Sequence, residues 1–279
     1  MNKLLSAGFV RLKKDKVFWA IMGFMVIMAL VIVINAATSS KEYQREVGLE
    51  ELMFKHVLFM GIFMAAFSGL FLGTEYSEGT IRNKLVIGHT RKDIYLSSLI
   101  ISITAGIAIC LSFIVTTLLS GLALVGTFSK EADMKLVLQA FLLTLLITGV
   151  FCALFTMCSM LNRNKSLNCV LVIMGMFAML MVSSYIYAGL NEPEMWESYV
   201  YEDETGEIVK GASEPNPYYV SGAKREVYEF LIHFLPTGQA ALIGEGDLSH
   251  AGEMADYSIL IMIGSTAAGL YFFKKKDIK

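Results

Sequence analysis

The stretch LGTEYSEGTIRNKLVIGHTRKDIYLSSLI, residues 72–100, places a charged segment between two long apolar runs. The first run ends after Gly73, and the second begins near residue 94. Runs of this length and apolarity are typical of helices that cross a membrane. The charged segment is therefore predicted to be a short connection, at the water boundary, between two spans.

The composition of the whole chain agrees with a membrane protein. The chain has 279 residues, of which 55% are hydrophobic and only 17% are charged. Its mean hydropathy is +0.58, which is too apolar for a soluble domain that needs a polar surface. We expect an all-α membrane protein with a single transmembrane domain over residues 1–279. Six apolar runs are long enough to span a bilayer, at residues 17–37, 57–73, 94–122, 136–161, 167–190 and 257–273.

The distribution of basic residues predicts the orientation of these spans. With six spans, the N-terminus, the second and fourth connections and the C-terminus share one side, and they hold 15 of the 23 Lys and Arg residues. Basic connections stay in the cytoplasm, so both termini are expected there. The first apolar run exceeds the roughly 7–15 residues of a signal-peptide core, so we expect it to remain as a span.

Two polar segments at the predicted inner side have helical patterns. Residues 1–16 place apolar and basic side chains on different faces, as in a helix that lies in the membrane interface; a plain basic flank is the alternative. Residues 74–93 contain a short helix with Ile81, Leu85 and Val86 on one side, and Arg82 and Lys84 on the other. Gly88 is predicted to stop it, and Thr90 to cap the next helix.

The long polar segment at residues 191–256 is predicted to lie outside the cell. Its first part is acidic, and Gly206 between two β-prone runs indicates a hairpin or a mobile excursion of the chain. Its second part is helical and apolar, with an end expected near Phe234 or Leu235. Pro236 and Gly238 are expected to form a turn, and a second short helix is expected to start within residues 240–243. We expect this part to return to the membrane as an outer gate, or only to stabilise the outer ends of the spans.

The charged segment resembles the signature of the ABC-2 permease family, the membrane subunits of bacterial ATP-binding-cassette exporters. This chain departs from the family pattern in the turn before the last Arg, where GHTR replaces a frequent Pro-containing sequence. The segment HFLPTGQAAL, residues 233–242, is similar to a Pro-containing segment before the last span of many members. The signature positions are occupied here by Glu75, Tyr76, Gly79, Thr80, Arg82, Leu85 and Arg91.

The resemblance implies a permease in the bacterial cell membrane that pairs with a second permease copy or a paralogue, and with two ATPase subunits. Residues 74–93 would then hold the coupling helix, with Arg82 facing the ATPase. Because a carboxylate at the inner end of a span is costly unless paired, we expect Glu75 to pair with Arg82 or Arg91; a solvated acid at the water boundary is the alternative. No G-x-x-x-x-G-K-S/T motif occurs in the chain, so ATP and Mg²⁺ are expected in the partner chain. An amphipathic substrate is expected, such as an antimicrobial peptide or a lipid-like compound, and no nucleic-acid partner is expected.

Two other classes of protein remain open. The sequence EELMFK, residues 50–55, with His56 beside it, is similar to the paired-carboxylate motif of one intramembrane metalloprotease family. Lys55 stands where that motif has Arg, and His89, His233 and His250 lack metal-ligand spacing, so no metal site is expected. A channel or a non-transporting membrane scaffold is the other alternative. It would need polar residues that line a pore, and the spans contain few ionisable groups, which weighs against it.

Overall fold

The structure is a computed structural model that describes residues 1–43, 47–130, 132–196, 200–202, 208–210 and 213–276. Within these ranges the chain is almost entirely helical, with eleven helices and four short strands. In chain order the elements are α1 (Asn2–Lys14), α2 (Lys16–Tyr43), α3 (Leu49–Met53), α4 (Val57–Ser77), α5 (Thr80–Val86), α6 (Arg91–Leu124), α7 (Met134–Leu161), α8 (Lys165–Asn191), β1 (Met195–Trp196), β2 (Val200–Glu202), β3 (Ile208–Lys210), β4 (Glu214–Pro215), α9 (Gly222–Phe234), α10 (Pro236–Glu245) and α11 (Ala251–Lys275).

Among the described residues, six helical segments are long and apolar enough to cross a membrane, which confirms the predicted number. They are α2, α4 preceded by α3, α6, α7, α8 and α11. Each apolar run of the sequence lies inside one of them, and most helices continue for a few polar residues beyond the run. Helix α6 has 34 residues and is therefore about 50 Å long. It exceeds a hydrocarbon core of about 30 Å, so it must tilt or project from the membrane.

The alternating spans give the bundle two distinct ends. We call one the basic end; it comprises α1, α5, the α7–α8 connection and the C-terminal end of α11. We call the other the acidic end; it comprises α3, the α6–α7 connection, the strands, α9, α10 and the α10–α11 connection. Hydrogen bonds between distant parts of the chain, described below, join the elements of each end.

Helix α1 packs along α6 through the apolar face that the sequence predicts. Leu4 and Leu12 are buried, whereas Leu5 and Phe9 are partly buried. Gly8 is buried on the same face, and a Cβ there would lie 1.9 Å from the Ile101 side chain. A glycine at this position therefore lets α1 approach α6 closely.

The centre of the bundle consists of α4, α6 and α7. These helices bury half or more of their most apolar stretch, whereas α2, α8 and α11 bury less than a third. The core contains large side chains without exposed surface, such as Met64, Phe113 and Phe151. The outward faces of the peripheral helices are apolar. They suit contact with lipid tails, which are as apolar as these side chains, better than contact with water.

The segment between α8 and α11 combines a small β-structure with two packed helices. Strands β2 and β3 pair antiparallel, with Tyr201 opposite Val209, which confirms the predicted hairpin. Gly206, the predicted hairpin turn, lies outside the described residues. Strands β1 and β4 also pair antiparallel, and α9 and α10 follow and pack against the ends of the spans.

Candidate functional site

A buried carboxylate at the basic end connects three helices. Glu75 of α4 has a side chain that is only 5% exposed, and its Oε1 lies 2.5 Å from Nη1 of Arg11 in α1. The same oxygen accepts a hydrogen bond from Nζ of Lys84 in α5, at 2.8 Å. The Arg11 guanidinium also lies over the Phe71 ring, 4.1 Å from its centroid. A buried carboxylate is costly unless it is paired, so these two cations stabilise its charge.

The structure corrects the partner that the sequence suggested for Glu75. Arg82 or Arg91 was expected, but the cations at Oε1 are Arg11 and Lys84. Arg82 is exposed on α5, and Nη1 of Arg91 donates to the carbonyl of Phe273, at 3.1 Å. The difference arises because α1, far away in sequence, packs across the end of the bundle.

Two other signature residues also tie elements together at the basic end. Arg91 donates to the backbone carbonyls of Phe273 and Lys276, and so joins the start of α6 to the end of α11. The Tyr76 hydroxyl donates to the Met160 carbonyl in α7. Nζ of Lys276 donates to both the Tyr76 hydroxyl and the Met160 carbonyl, each at 3.0 Å. The charged segment is thus anchored to α7 and to the end of α11.

Burial changes the electrostatics of Lys276. Desolvation, together with the nearby positive charge of Arg163, lowers the pKa of its ammonium group to about 8. The ammonium nevertheless keeps two oxygen partners, Tyr76 and Met160. The basic end therefore contains a lysine that titrates close to physiological pH.

Helix α5 presents an exposed face that combines one cation with two aliphatic side chains. Val86 is 78% exposed and Ile87, which caps the helix, is 77% exposed. Arg82, one turn earlier, is also exposed. The sequence placed Val86 on the same side of the helix as Ile81 and Leu85, and this was wrong. Ile81 is 1% exposed and packs in a cluster with Leu4 and Tyr95, and Leu85 packs partly against that cluster, whereas Val86 is exposed.

Glycines set both ends of α5. Gly79 precedes Thr80 with a φ of 68°, and Gly88 follows the helix with a φ of 96°. Both angles are in the left-handed region that favours glycine. Gly88 stops the helix as predicted, and Thr90 accepts a hydrogen bond from the Asp93 amide at 3.1 Å, which confirms the predicted cap of α6.

At the acidic end, α10 is packed among the spans through a buried polar network. Thr237 donates to the Met179 carbonyl at 3.0 Å, and its hydroxyl lies 2.6 Å from that of Ser183 in α8. Gln239 donates to the His233 carbonyl at 2.6 Å and accepts from the Ser258 hydroxyl of α11 at 2.6 Å. These partners hold α10 against both α8 and α11, because buried polar groups need their hydrogen bonds.

The turn between α9 and α10 is tighter than the sequence indicated. Helix α9 ends at Phe234, as predicted, and Leu235 alone separates it from α10. Pro236 and Gly238 do not form the turn; they lie in the first turn of α10, which starts at Pro236 rather than within residues 240–243. Proline suits the first helical position because a backbone N–H there would have no intrahelical acceptor, so the lack of an N–H in proline costs no hydrogen bond. A Cβ on Gly238 would lie 2.3 Å from the Ile232 carbonyl oxygen.

A cluster of metal-binding residue types also lies at the acidic end. His233 of α9, His250 before α11 and Glu253 of α11 have donor atoms within 4.8 Å of one another. The centroids of the His233 and His250 rings are 4.5 Å apart, and His250 Nδ1 lies 3.2 Å from Glu253 Oε1. The pKa of His233 is lowered, first by desolvation and then by His250. Sequence spacing missed this cluster because α10 intervenes between its members.

The residues of the possible protease motif have structural partners instead. Glu50 accepts hydrogen bonds from the backbone N–H and the hydroxyl of Ser129 in the α6–α7 connection. His56 is fully buried, with Nδ1 3.1 Å from the Met53 carbonyl and Nε2 3.3 Å from the Cys110 sulfur. Its ring stacks on Phe113. Both ring nitrogens thus lie within hydrogen-bond distance of a partner that is not a carboxylate.

The six-span helical bundle and its clamped, exposed connection define a multi-pass membrane protein of the transporter class. A family model described as ABC-2 family transporter protein matches residues 4–181, which is more than half of the chain. The chain therefore belongs to the ABC-2 family of transporter membrane proteins, which work with an ATPase partner. No curated protein matches the chain. The family match includes α5 and its anchoring residues and ends before α9.

Proposed function

We propose that this chain is the permease subunit of a bacterial ABC exporter and that α5 is the coupling helix on which the ATPase docks. The observation that carries the proposal is the exposed face of α5. Val86 and Ile87 expose more than three quarters of their surface beside Arg82. Aliphatic side chains beside an arginine are typical of a protein interface, since arginine binds acidic or carbonyl-lined grooves.

The anchoring of α5 supports this role. Glu75 bonds to Lys84 of α5 and to Arg11 of α1, and Arg91 bonds to the end of α11. These contacts would transmit a displacement of α5 to α4, α6 and α11. In this proposal the other signature residues hold the helix in place, and Arg82 with its exposed neighbours makes the contact.

The proposal places the protein in the bacterial cell membrane with the basic end in the cytoplasm. The excess of Lys and Arg at that end supports this orientation, because basic connections are retained in the cytoplasm. Both termini and α5 then lie on the side where ATP is available. The basic face of α1 would lie near anionic lipid headgroups.

The complete transporter would contain two ATPase subunits and a second permease, either another copy of this chain or a paralogue. The ATPase subunits would bind ATP and Mg²⁺, since this sequence has no phosphate-binding loop of the G-x-x-x-x-G-K-S/T type. The outward apolar faces of α2 and α8 offer surface for lipid or for the second permease.

An amphipathic substrate, such as an antimicrobial peptide or a lipid-like compound, suits the apolar bundle. In the proposal α9 and α10 form an outer gate at the acidic end, with Phe234, Leu235, Pro236 and Gly238 at its hinge. The support is the packing of α10 against α4, α7 and α8. Acidic residues in the preceding segment would attract a cationic peptide.

A charge reversal on α5 tests the docking role. Arg82→Glu and Val86→Asp should each reduce co-purification with the ATPase while membrane insertion stays normal. Lys92→Glu is the matched control, because Lys92 is an exposed cation of the same connection outside α5. If both α5 variants insert and retain the ATPase as well as the control does, the docking role is wrong.

A further inference from the structure

The cluster at the acidic end has the residue types and the spacing of a transition-metal site. The donor atoms of His233, His250 and Glu253 all lie within 4.8 Å of one another. Donors around a tetrahedral Zn²⁺ are roughly 3.3 Å apart, given metal–nitrogen distances of about 2.0–2.1 Å. His250 Nδ1 and Glu253 Oε1 already have this spacing, at 3.2 Å. His250 and Glu253 are exposed and His233 is half-buried, so small rotations of the side chains can bring in the third donor.

The surroundings of the cluster favour a cation. The three residues line a cavity of about 550 Å³ that opens at the acidic end, and Asp247 lines the same cavity. Nearby Arg225 is engaged with Glu229, at 2.9 Å, rather than with the cluster. Two imidazoles and one carboxylate form a ligand set that suits zinc, and they leave a fourth position for water.

We propose that His233, His250 and Glu253 bind a divalent transition metal of the Zn²⁺ type. The site would join α9 to the start of α11, because His233 belongs to α9 and Glu253 to α11. Since α10 lies between them in the chain, a bound metal would fix α9 and α10 against the last span. This inference stands on the geometry of the acidic end and does not depend on ATPase docking.

Zinc titration of the untagged, full-length protein in detergent tests the site. Calorimetry should detect one tight Zn²⁺ per chain, and zinc should raise the midpoint of thermal unfolding, because it binds the folded state. Loss of an outer-shell partner alone weakens metal affinity by roughly tenfold or more. Each of the variants His233→Ala, His250→Ala and Glu253→Gln removes a proposed direct ligand, so each should weaken zinc affinity by at least that factor. Zinc should also slow hydrogen exchange in α9 of the wild type but not of these variants.

His89→Ala is the matched control, because His89 lies at the opposite end of the bundle. The control should bind zinc like the wild type. All variants are compared without metal by elution volume and by unfolding midpoint, and folded variants with reduced affinity support the site. Unchanged affinity in both His233→Ala and His250→Ala would overturn the proposal. An equal loss of affinity in His89→Ala, or zinc binding without protection of α9, would also overturn it.

Discussion

The Glu75 carboxylate of α4 and the Arg11 guanidinium of α1 meet at 2.5 Å, although the two residues lie on different helices and are far apart in the sequence. Lys84 of α5 completes the contact from the other side. One buried carboxylate thus connects the N-terminal helix, a central span and the exposed connection. This anchor fixes the position of α5 relative to α4 and α1.

A double-mutant cycle measures the anchor directly. Glu75→Gln leaves two cations without their shared partner and should destabilise the protein by roughly 3 kcal/mol, the lower range for breaking a buried pair. Arg11→Gln should cost less, since Arg11 is 27% exposed. The coupling energy should be about 1–3 kcal/mol by thermal or denaturant unfolding in detergent. Strictly additive effects would show that the pair contributes nothing specific.

The same carboxylate should matter for coupling to the ATPase. Under conditions where Glu75→Gln remains folded, the variant should still co-purify with the ATPase, because Arg82 and its exposed neighbours are unchanged. Its substrate-stimulated ATP hydrolysis should fall, since α5 is no longer held at a fixed angle to α4. Stimulation equal to that of the wild type would reject the mechanical role of the anchor.

The titration of Lys276 predicts a pH dependence of stability. Its folded pKa is about 8, below the ordinary value of 10.5. Between these values the unfolded chain binds a proton that the folded chain does not, so the contribution of Lys276 to stability should grow as pH rises. The unfolding midpoint of the wild type, relative to that of Lys276→Gln, should therefore increase from about pH 7.5 to about pH 9.5. A constant difference would contradict the lowered pKa.

Two glycines of α10 should respond in opposite ways to the same substitution. Gly238→Ala places a Cβ 2.3 Å from the Ile232 carbonyl oxygen and should cost about 1–3 kcal/mol through strain. Gly244→Ala is the control in the same helix, since its nearest atom would be 3.9 Å away. Alanine is the better helix former, so this variant should be neutral or gain up to about 1 kcal/mol. Equal unfolding midpoints for the two variants would refute the close packing of the α9–α10 turn.

Thiol labelling of intact cells tests the proposed orientation. In a background without the native cysteines, Tyr218→Cys should react with a membrane-impermeant reagent, because Tyr218 is 70% exposed at the acidic end. Lys92→Cys, at the basic end, should react only after the membrane is permeabilised. Ala240→Cys should stay protected in both states, because Ala240 has no exposed surface. The opposite pattern for the first two positions would invert the topology. Glu204, in the acidic first part of residues 191–256, lies outside the described residues.

The sequence predicts the features of this protein that depend on neighbouring residues. Apolar runs locate the six spans, Gly88 and Thr90 mark local ends of helices, and the hairpin follows from turn and strand patterns. Such signals act over a few residues, so periodicity and capping chemistry are sufficient to find them. The start of α10 at Pro236 was missed, although proline at a first helical position was the available signal.

Contacts between distant segments could not be predicted in the same way. The pairing of Glu75 with Arg11 depends on how α1 crosses the bundle. The proximity of His233 to His250 depends on the turn before α10. The exposure of Val86 also depends on how the contact between Lys84 of α5 and Glu75 of α4 fixes the rotation of α5. Each of these features is set by tertiary packing, which overrides the preference of a short amphipathic pattern.

The central claim, that the exposed face of α5 contacts the ATPase, is tested most directly by photo-crosslinking. A photoreactive amino acid at Val86 is compared with one at Val227, which is also more than half exposed but lies on α9 at the opposite end. In membranes that contain the assembled transporter, the group at Val86 should form a crosslink to the ATPase, identified by mass spectrometry, and the group at Val227 should not. Absence of an ATPase crosslink from Val86 in an assembled, ATP-hydrolysing complex would contradict the account.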